Sequence, residues 1–145
     1  MPAPPAYFDT SVLVKNYVRE TGSVRARAVL RRHRFVSSAI APLEALSAFC
    51  RRRAARELSE RDFAAILARL ARDRSYWELI EVSAQILERA EELIQRTSLR
   101  TLDAVHLASV MTARAVSGTG LPLVTGDPQQ RDVARRLALD VVWIG

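Results

Sequence analysis

The sequence predicts an α/β fold in three layers, with a parallel sheet of short strands between two layers of helices. Two observations favour this class: short apolar runs alternate with segments of helical periodicity, and no linker, repeat or low-complexity tract interrupts the chain. Strands separated by helices are joined by right-handed crossovers, which give a parallel sheet covered on both faces. A length of 145 residues is usual for one domain, so we expect residues 1–145 to form a single domain.

The first half of the chain carries clear signals for both kinds of element. The predicted elements are strands over 6–8 and 34–37 and helices after 9–11, over 23–32, from Pro42 and from Ser59. Asp9 ends the first strand and can cap the next helix, because an aspartate accepts hydrogen bonds from the free amides there. Ser59 stands three residues before Asp62, as in a capping box, and this spacing predicts the start of the fourth helix.

The second half of the chain continues the alternation. The predicted elements are strands over 77–82, 121–125 and 140–144 and helices from Ser83, from Thr101 and over 128–138. The helix that Thr101 opens is apolar nearly all round, so we expect it to lie centrally in the fold.

Apolar residues at helical spacing predict which helix faces point towards the core. The predicted inward residues are Leu43, Leu46 and Phe49 on the third helix, Phe63, Ile66, Leu67 and Leu70 on the fourth, and Ile86, Leu87, Ala90 and Ile94 on the fifth.

The charge balance favours a polyanionic partner. The chain has 22 lysines and arginines against 16 acidic residues, a net charge of +6, and only Lys15 is a lysine. The planar fork of arginine suits bidentate contacts with phosphate, and a positive field attracts nucleic acids. A solvated arginine-rich surface explains the composition equally well, so the charge alone leaves both interpretations open.

Cysteine usage and hydropathy indicate the compartment. The lone Cys50 excludes an internal disulfide and fits a reducing environment. The first residues lack the basic and apolar regions of a signal peptide, and no uncharged apolar run approaches the roughly 20 residues that span a bilayer. We therefore expect a soluble cytoplasmic protein that does not enter a membrane.

Four carboxylates stand at positions where a ligand would bind. Parallel sheets bind ligands beyond the carboxyl ends of their strands, near the point where the strand order reverses. Asp9 directly follows the first strand, Asp127 follows the fourth, and Glu44 lies early in the helix after the second. Asp103 lies in the first turn of the central helix, which leads into the fourth strand. That connection places Asp103 at the opposite end of the sheet unless the helix crosses its edge, so the residues alone leave its position open.

Each of these acids also has a purely structural interpretation, since a carboxylate near a helix start complements the helix dipole by about 0.3–1 kcal/mol. This explanation is weaker for the set, because Glu44 and Asp103 have apolar neighbours, among which an unpaired carboxylate is costly. Several acids in one site repel each other unless a cation compensates, and ligands that are all oxygen select Mg²⁺ or Mn²⁺. Such an ion can activate water and stabilise charge on a phosphoryl group.

The chain resembles the PIN-domain nucleases, and among them the VapC toxins of toxin–antitoxin pairs. The resemblance covers essentially the whole chain and rests on the motifs Tyr7-Phe8-Asp9-Thr10-Ser11-Val12-Leu13, Pro42-Leu43-Glu44-Ala45, Thr101-Leu102-Asp103-Ala104-Val105-His106-Leu107-Ala108 and Val124-Thr125-Gly126-Asp127. It implies a five-stranded parallel sheet of order 3-2-1-4-5, in which strands one and four are neighbours. It also implies that Asp103 reaches the other acids.

The resemblance further implies roles for individual residues. Asp9 and Asp103 match the principal metal ligands of the family, and Glu44 and Asp127 match the acids that complete the metal site directly or through water. Residues expected to orient this cluster are Thr10, Ser11 and Thr125. Independently of the resemblance, the arginines near the acids are candidate RNA-binding residues, although a solvated face explains the run after Glu44 almost equally well; they are Arg51, Arg52, Arg56 and Arg100. His106, one turn after Asp103, is expected to be a packed and hydrogen-bonded neighbour.

The implied function is a Mg²⁺- or Mn²⁺-dependent endoribonuclease that leaves a 5′-phosphate and a 3′-hydroxyl, acts as a toxin and is silenced by a cognate VapB-type antitoxin. Homodimerisation is a further expectation from the family. The main alternative is a catalytically silent PIN-like module that binds RNA or protein. An adhesion-type metal module is disfavoured because Leu13 replaces a required serine, and a haloacid-dehalogenase phosphatase because Ser11 stands where its second aspartate is needed.

Overall fold

A computed structural model describes residues 2–118 and 120–145 of the chain. The strands are β1 (Pro5–Phe8), β2 (Arg34–Ser38), β3 (Glu78–Ile80), β4 (Leu123–Thr125) and β5 (Val141–Trp143). The helices are α1 (Thr10–Tyr17), α2 (Ser23–Arg32), α3 (Ala41–Ala54), α4 (Glu60–Asp73), α5 (Ala84–Arg96), α6 (Thr101–Ser117) and α7 (Pro128–Arg136), with a 3₁₀ turn over Arg74–Tyr76.

The strands form a parallel sheet of order β3-β2-β1-β4-β5, as predicted. β1 is central and pairs with β2 on one side and with β4 on the other. The strand order therefore reverses between β1 and β4, and the carboxyl ends of these two strands lie next to each other.

Two apolar cores cover the two faces of the sheet. Successive side chains of a strand point to opposite faces, so Phe8 belongs to one core and Tyr7 to the other. The core around Phe8 is built mainly from α1 to α4, including Phe49 and Phe63. The core around Tyr7 is built mainly from α5, α6 and α7, with Leu107 of α6 at its centre and fully buried. The predicted three-layer α/β/α arrangement is confirmed.

The helix starts follow the predicted capping chemistry. The hydroxyl of Ser59 accepts a hydrogen bond from the amide of Asp62 at 3.0 Å, and Ser83 caps α5 through the amide of Ile86 at 3.2 Å. The predicted bounds of α2 agree with the structure, whereas β3, β4 and β5 are shorter than predicted. The last helix ends at Arg136 rather than at Ala138, which has a positive φ of 58°.

The inward faces predicted for α3 and α5 were partly wrong. Leu43 is 70% exposed and Leu46 is 37% exposed, because α3 packs through Ala41, Ala45 and Phe49 at four-residue spacing. The small side chains of Ala41 and Ala45 let α3 approach α1 closely. Only one stripe of a helix can face the core, so large residues outside that stripe stay at the surface.

On α5 the buried stripe consists of Ile86, Ala90 and Leu93. Leu87 and Ile94, predicted to face inward, are 49% and 41% exposed. Within the described ranges, no helix is both long and apolar enough to cross a bilayer.

Candidate active site

Asp9 lies at the carboxyl end of the central strand, where it also caps α1. Its side chain is almost fully buried. The hydroxyl of Ser11 donates to Oδ1 of Asp9 at 2.5 Å, and the amide of Val12 donates to the same oxygen at 3.2 Å. The hydroxyl of Thr125, at the end of β4, donates to Oδ2. Both carboxylate oxygens of Asp9 are therefore held in place by the protein.

Burial raises the pKa of Asp9, while the hydrogen bonds from Ser11 and Thr125 and the nearby His106 oppose that rise. An ionised carboxylate that is removed from water is costly unless a positive charge lies nearby. The surroundings of Asp9 thus fix the carboxylate in space without neutralising its charge, which is the electrostatic setting of a cation ligand.

Glu44 lies in the first turn of α3, beside a buried histidine. His106 Nε2 is 2.7 Å from Glu44 Oε1, and the hydroxyl of Thr10 donates to the same oxygen at 2.6 Å. On its other side, His106 Nδ1 is 2.7 Å from the hydroxyl of the buried Tyr7. Burial alone would raise the pKa of Glu44, but the hydrogen bond and charge of His106, together with Thr10, lower it. The expectation that His106 is a packed, hydrogen-bonded neighbour is confirmed.

Asp103 stands at the same edge of the sheet as the other acids, a position that the residues alone had left open and that the family resemblance implied. α6 leads into β4 and therefore runs against the strand direction, which puts its first turn at the carboxyl edge. There the side-chain amide of Gln130, from α7, donates to Oδ1 of Asp103 at 2.9 Å. Any helix that directly precedes a parallel strand must begin near the carboxyl edge in this way.

The charges of other acids in the cluster change the pKa of Asp103. Burial raises its pKa, the hydrogen bond from Gln130 opposes that rise, and the negative charge of Asp127 raises it again. Smaller opposing effects come from His106 and Glu44. Asp103, Asp127 and Glu44 are therefore close enough for the charge of one to change the proton affinity of another.

Asp127 caps α7 and closes the turn after β4. Its Oδ1 accepts hydrogen bonds from the amides of Gln129 at 2.8 Å and Gln130 at 3.3 Å. Its own amide donates to the hydroxyl of Thr125 at 3.0 Å. The capping interpretation thus holds for Asp9 and Asp127, whereas α3 and α6 begin without any side-chain cap on their first turn.

Gly126 lets this turn pass close to α1 and the end of β5. A Cβ atom at this position would lie 3.0 Å from Cε of Lys15 and 3.2 Å from the carbonyl oxygen of Ile144. The amide of Gly126 also donates to the hydroxyl of Ser11 at 3.1 Å. Ser11 therefore connects the turn before Asp127 to the carboxylate of Asp9.

The four acids are neighbours, but they do not form a closed ligand set. Among residues 2–118 and 120–145, no three histidine, cysteine, aspartate or glutamate side chains stand ready to hold a metal ion. The donors nevertheless suit a hard divalent cation in their chemistry, because all four acids offer carboxylate oxygens and their mutual repulsion is relieved by positive charge.

A cleft of about 550 Å³ opens beside the acids. Of the four acids, only Glu44 lines this cleft, and its other polar lining residues are Thr10, Ser11, Glu20, Ser47 and Arg51. Apolar side chains that include Leu43 and Leu102, both well exposed, form much of the rest. Glu44 therefore connects this cleft to the acid cluster.

The four candidate RNA-binding arginines have different surroundings. Arg51 is exposed and lines the cleft. Arg52 forms an ion pair with Glu20 and is partly buried. Arg56 is exposed just after α3, and Arg100 is exposed at the N-cap of α6, three residues before Asp103. Of these four arginines, Arg51 thus shares the cleft lining with Glu44, and Arg100 directly precedes the helix that carries Asp103.

Sequence reasoning missed two residues of this site, Tyr7 and Gln130. In the sequence, Tyr7 has the pattern of an ordinary strand residue, and none of the adjacent residues indicates its hydrogen bond to His106. Gln130 shares the buried stripe of α7 with Val133 and Ala134. A glutamine at i, i+3, i+4 spacing from two apolar residues could have suggested a buried amide with a specific partner.

The fold and this arrangement of acids define a class of protein with known members. The sequence profile of the PIN domain matches residues 6–136, and the chain therefore belongs to the PIN domain family. No protein of curated function matches the chain significantly in sequence.

Several solved structures share the fold. A toxin–antitoxin complex from Klebsiella pneumoniae is 22% identical, with a TM-score of 0.61, over 86% of this chain and 88% of that one. VapC20 of Mycobacterium tuberculosis, described as a sarcin–ricin loop cleaving toxin, is 17% identical with a TM-score of 0.66, over 88% and 94%. FitAcB from Neisseria gonorrhoeae is 14% identical with a TM-score of 0.68, over 94% and 95%.

Proposed function

We propose that this chain is a divalent-metal-dependent endoribonuclease and acts as the toxin of a toxin–antitoxin pair. The proposal rests mainly on the convergence of Asp9, Glu44, Asp103 and Asp127 at the carboxyl edge of β1 and β4. Membership in the PIN domain family and the toxin–antitoxin proteins among the structural neighbours support it.

Asp9 and Asp103 would be the principal ligands of Mg²⁺ or Mn²⁺, and Glu44 and Asp127 would complete the site. The chemistry that such an ion supplies is the activation of water and the stabilisation of charge on a phosphoryl group. The protein's part is to fix the carboxylates: Ser11 and Thr125 hold Asp9 through its two oxygens. Thr10 and His106 both contact Glu44 Oε1 and leave its other oxygen free of the bonds described above.

RNA is the proposed substrate because the cleft beside the acids is bordered by arginine on a chain with a net charge of +6. Arg51 would contact a phosphate within the cleft and Arg100 a phosphate near the start of α6. Arg52 and Arg56 would contribute to the surrounding positive field rather than to single phosphates, since Arg52 already pairs with Glu20.

The direct test is the cleavage of structured RNA by the pure protein with Mg²⁺ or Mn²⁺. Asp103→Asn should lower the cleavage rate by more than about 100-fold, since even residues that only orient a metal ligand contribute up to that factor. Asp132→Asn is the matched control, because Asp132 is an exposed acid on α7 that pairs with Arg131. Undiminished cleavage by Asp103→Asn would contradict the proposal.

A silent PIN-like binding module is the second candidate function, and the lack of a closed ligand set among the described residues favours it. Calorimetric titration with Mn²⁺ separates the two. Saturable binding that Asp103→Asn abolishes supports the nuclease. RNA binding without any uptake of Mn²⁺ at millimolar concentration supports the silent module.

The proposed partner is a VapB-type antitoxin, which would inhibit by placing an arginine among the acids in competition with the cation. The exposed Leu43 and Leu102 at the cleft offer apolar contacts for such a partner. Co-purification with the product of a small adjacent gene, and loss of cleavage in the complex, are the expected results. We also propose a homodimer, which analytical ultracentrifugation of the free chain tests.

A further inference from the structure

Gln130 is a buried polar residue that touches two acids of the candidate site. Its side chain is 3% exposed, on the inward stripe of α7. Its backbone amide donates to Oδ1 of Asp127 at 3.3 Å, and its side-chain Nε2 donates to Oδ1 of Asp103 at 2.9 Å. Gln130 therefore links an acid from the end of β4 to an acid from the start of α6.

The other half of its carboxamide is unpaired. Within the described part of the chain, Oε1 of Gln130 is buried and has no hydrogen-bond partner. Oε1 and Nε2 share one carbon atom, so Oε1 also lies beside Asp103. Flipping the amide, which exchanges Oε1 and Nε2, still leaves a buried polar group without a partner. The NH₂ group would then lack an acceptor, and the ionised Asp103 would lose its donor.

A buried amide oxygen without a partner costs free energy, and a bound ion or water is one of the recognised reasons for such an atom in a native protein. Thr112 Oγ1 is also buried without a partner among the described residues, but it lies nine residues beyond Asp103 on α6. That separation corresponds to about 13 Å along the helix axis. Only the Gln130 oxygen combines burial with direct contact to the acid cluster.

We propose that Gln130 is a fifth residue of the metal site, which orients Asp103 through its NH₂ group and offers its amide oxygen to the cation or to a water molecule on it. This inference rests on the proposed function, since it requires a divalent ion among the acids. An amide oxygen is a ligand type that both Mg²⁺ and Mn²⁺ accept. Because it carries no charge, it adds a donor without adding to the repulsion among the four carboxylates.

The experiment measures Mn²⁺ affinity by isothermal titration calorimetry on the full chain, for the wild type and three variants. Gln130→Met keeps the length of the side chain and removes both polar atoms. Gln130→Glu keeps an oxygen in the same place. Gln129→Met changes the exposed neighbouring glutamine and is the matched control.

We expect Gln130→Met to weaken Mn²⁺ binding by about tenfold or more, the usual effect of losing a residue that orients a metal ligand. Gln130→Glu keeps an oxygen but loses the NH₂ donor to Asp103, so it should bind Mn²⁺ more tightly than Gln130→Met, and Gln129→Met should bind as the wild type does. Thermal unfolding without metal separates affinity from folding, because cooperative unfolding of Gln130→Met well above the titration temperature shows that its weaker Mn²⁺ binding is not a loss of fold.

Two results would overturn this inference but leave the proposed function intact. One is wild-type Mn²⁺ affinity in Gln130→Met, and the other is equally weak binding by Gln130→Glu and Gln130→Met. If the wild-type protein itself takes up no Mn²⁺, the proposed function and this inference both fail. The two failures are therefore distinguished by the wild-type titration.

Discussion

At the scale of one residue, the carboxylate of Asp9 is held in a fixed position by hydrogen bonds, while its burial makes its ionised form unfavourable. Two hydroxyls and an amide hold its carboxylate, yet burial raises its pKa above the ordinary value of 3.8. A raised pKa in the folded state means that the protonated form is favoured by folding. The stabilising effect is complete below pH 3.8 and is lost as the pH rises through the folded pKa.

The raised pKa of Asp9 predicts how Asp9→Asn changes the free energy of unfolding in metal-free buffer. The neutral variant should be more stable than the wild type at pH 7 by about 1–2 kcal/mol, the usual gain from replacing a strained functional residue. Its advantage should shrink as the pH falls and vanish near the ordinary carboxyl pKa. Urea unfolding at a series of pH values measures the difference.

Asp132→Asn is the control for this prediction. Its exposed carboxylate has a lowered pKa because of the hydrogen bond from Arg131, so removing its charge should not stabilise the protein. An Asp9→Asn variant that is less stable than the wild type at pH 7 would show that the hydrogen bonds outweigh the cost of burial.

Individual residues also mark the limit of what the sequence predicts. Asp9, Glu44 and Asp127 follow from the ends of strands, whereas the family resemblance led to Asp103. Gln130 could not be identified in this way, because its importance depends on an amide meeting a carboxylate 27 positions away in the sequence. Sequence periodicity reveals the face of a helix, but not the partner that this face meets.

At the scale of elements, α1 and α7 each begin with an acid of the candidate site. A carboxylate that caps a helix and binds a cation serves two purposes, and substitution by asparagine separates them. Asparagine caps a helix about as well as aspartate, whereas alanine does not.

We therefore predict that Asp127→Asn leaves the free energy of unfolding nearly unchanged, while Asp127→Ala lowers it by about 1 kcal/mol. Both variants should lose most RNA cleavage if Asp127 completes the metal site. Chemical denaturation and a cleavage assay on the same preparations test the two halves. Normal cleavage by Asp127→Asn would leave Asp127 with its capping role alone.

The helix faces show why the prediction of elements succeeded better than the prediction of their orientation. Patterns of apolar residues located the helices, but Leu43 and Leu87 were placed in the core and lie at the surface. Alanine decides the orientation of α3, since a stripe of small residues packs more closely than leucine can. Apolar residues outside that stripe remain exposed and available to a partner. The pattern of apolar residues in one chain does not distinguish such a surface from the face that packs in the core.

For the whole molecule, charge determines how RNA would be held. All arginines contribute to a long-range positive field, and under the proposed function those at the cleft would contact phosphates, so the affinity for RNA should fall steeply as the salt concentration rises. Arg51 lines the cleft, whereas Arg32 ends α2 just before β2 begins and so lies at the opposite edge of the sheet.

We predict that Arg51→Gln weakens RNA binding and reduces the slope of log K against log salt by about 0.7, the value for one contact with a single strand. Arg32→Gln removes the same charge at the far edge and should leave the slope unchanged. Fluorescence anisotropy with the cleavage-deficient Asp103→Asn protein provides the measurement. Equal slopes for both variants would indicate that no phosphate contacts Arg51.

The pairing of β1 with β4 also constrains when the site can exist during synthesis. β1 leaves the ribosome first, but its neighbour β4 lies more than 110 residues later, and Thr125, Asp127 and Gln130 follow on that same stretch. A nascent chain that ends before residue 121 has an open sheet edge beside Asp9 and still lacks Asp127, one of the four acids. If the proposed function holds, the chain would be unable to cut the RNA that surrounds its own translation until almost all of it has been made.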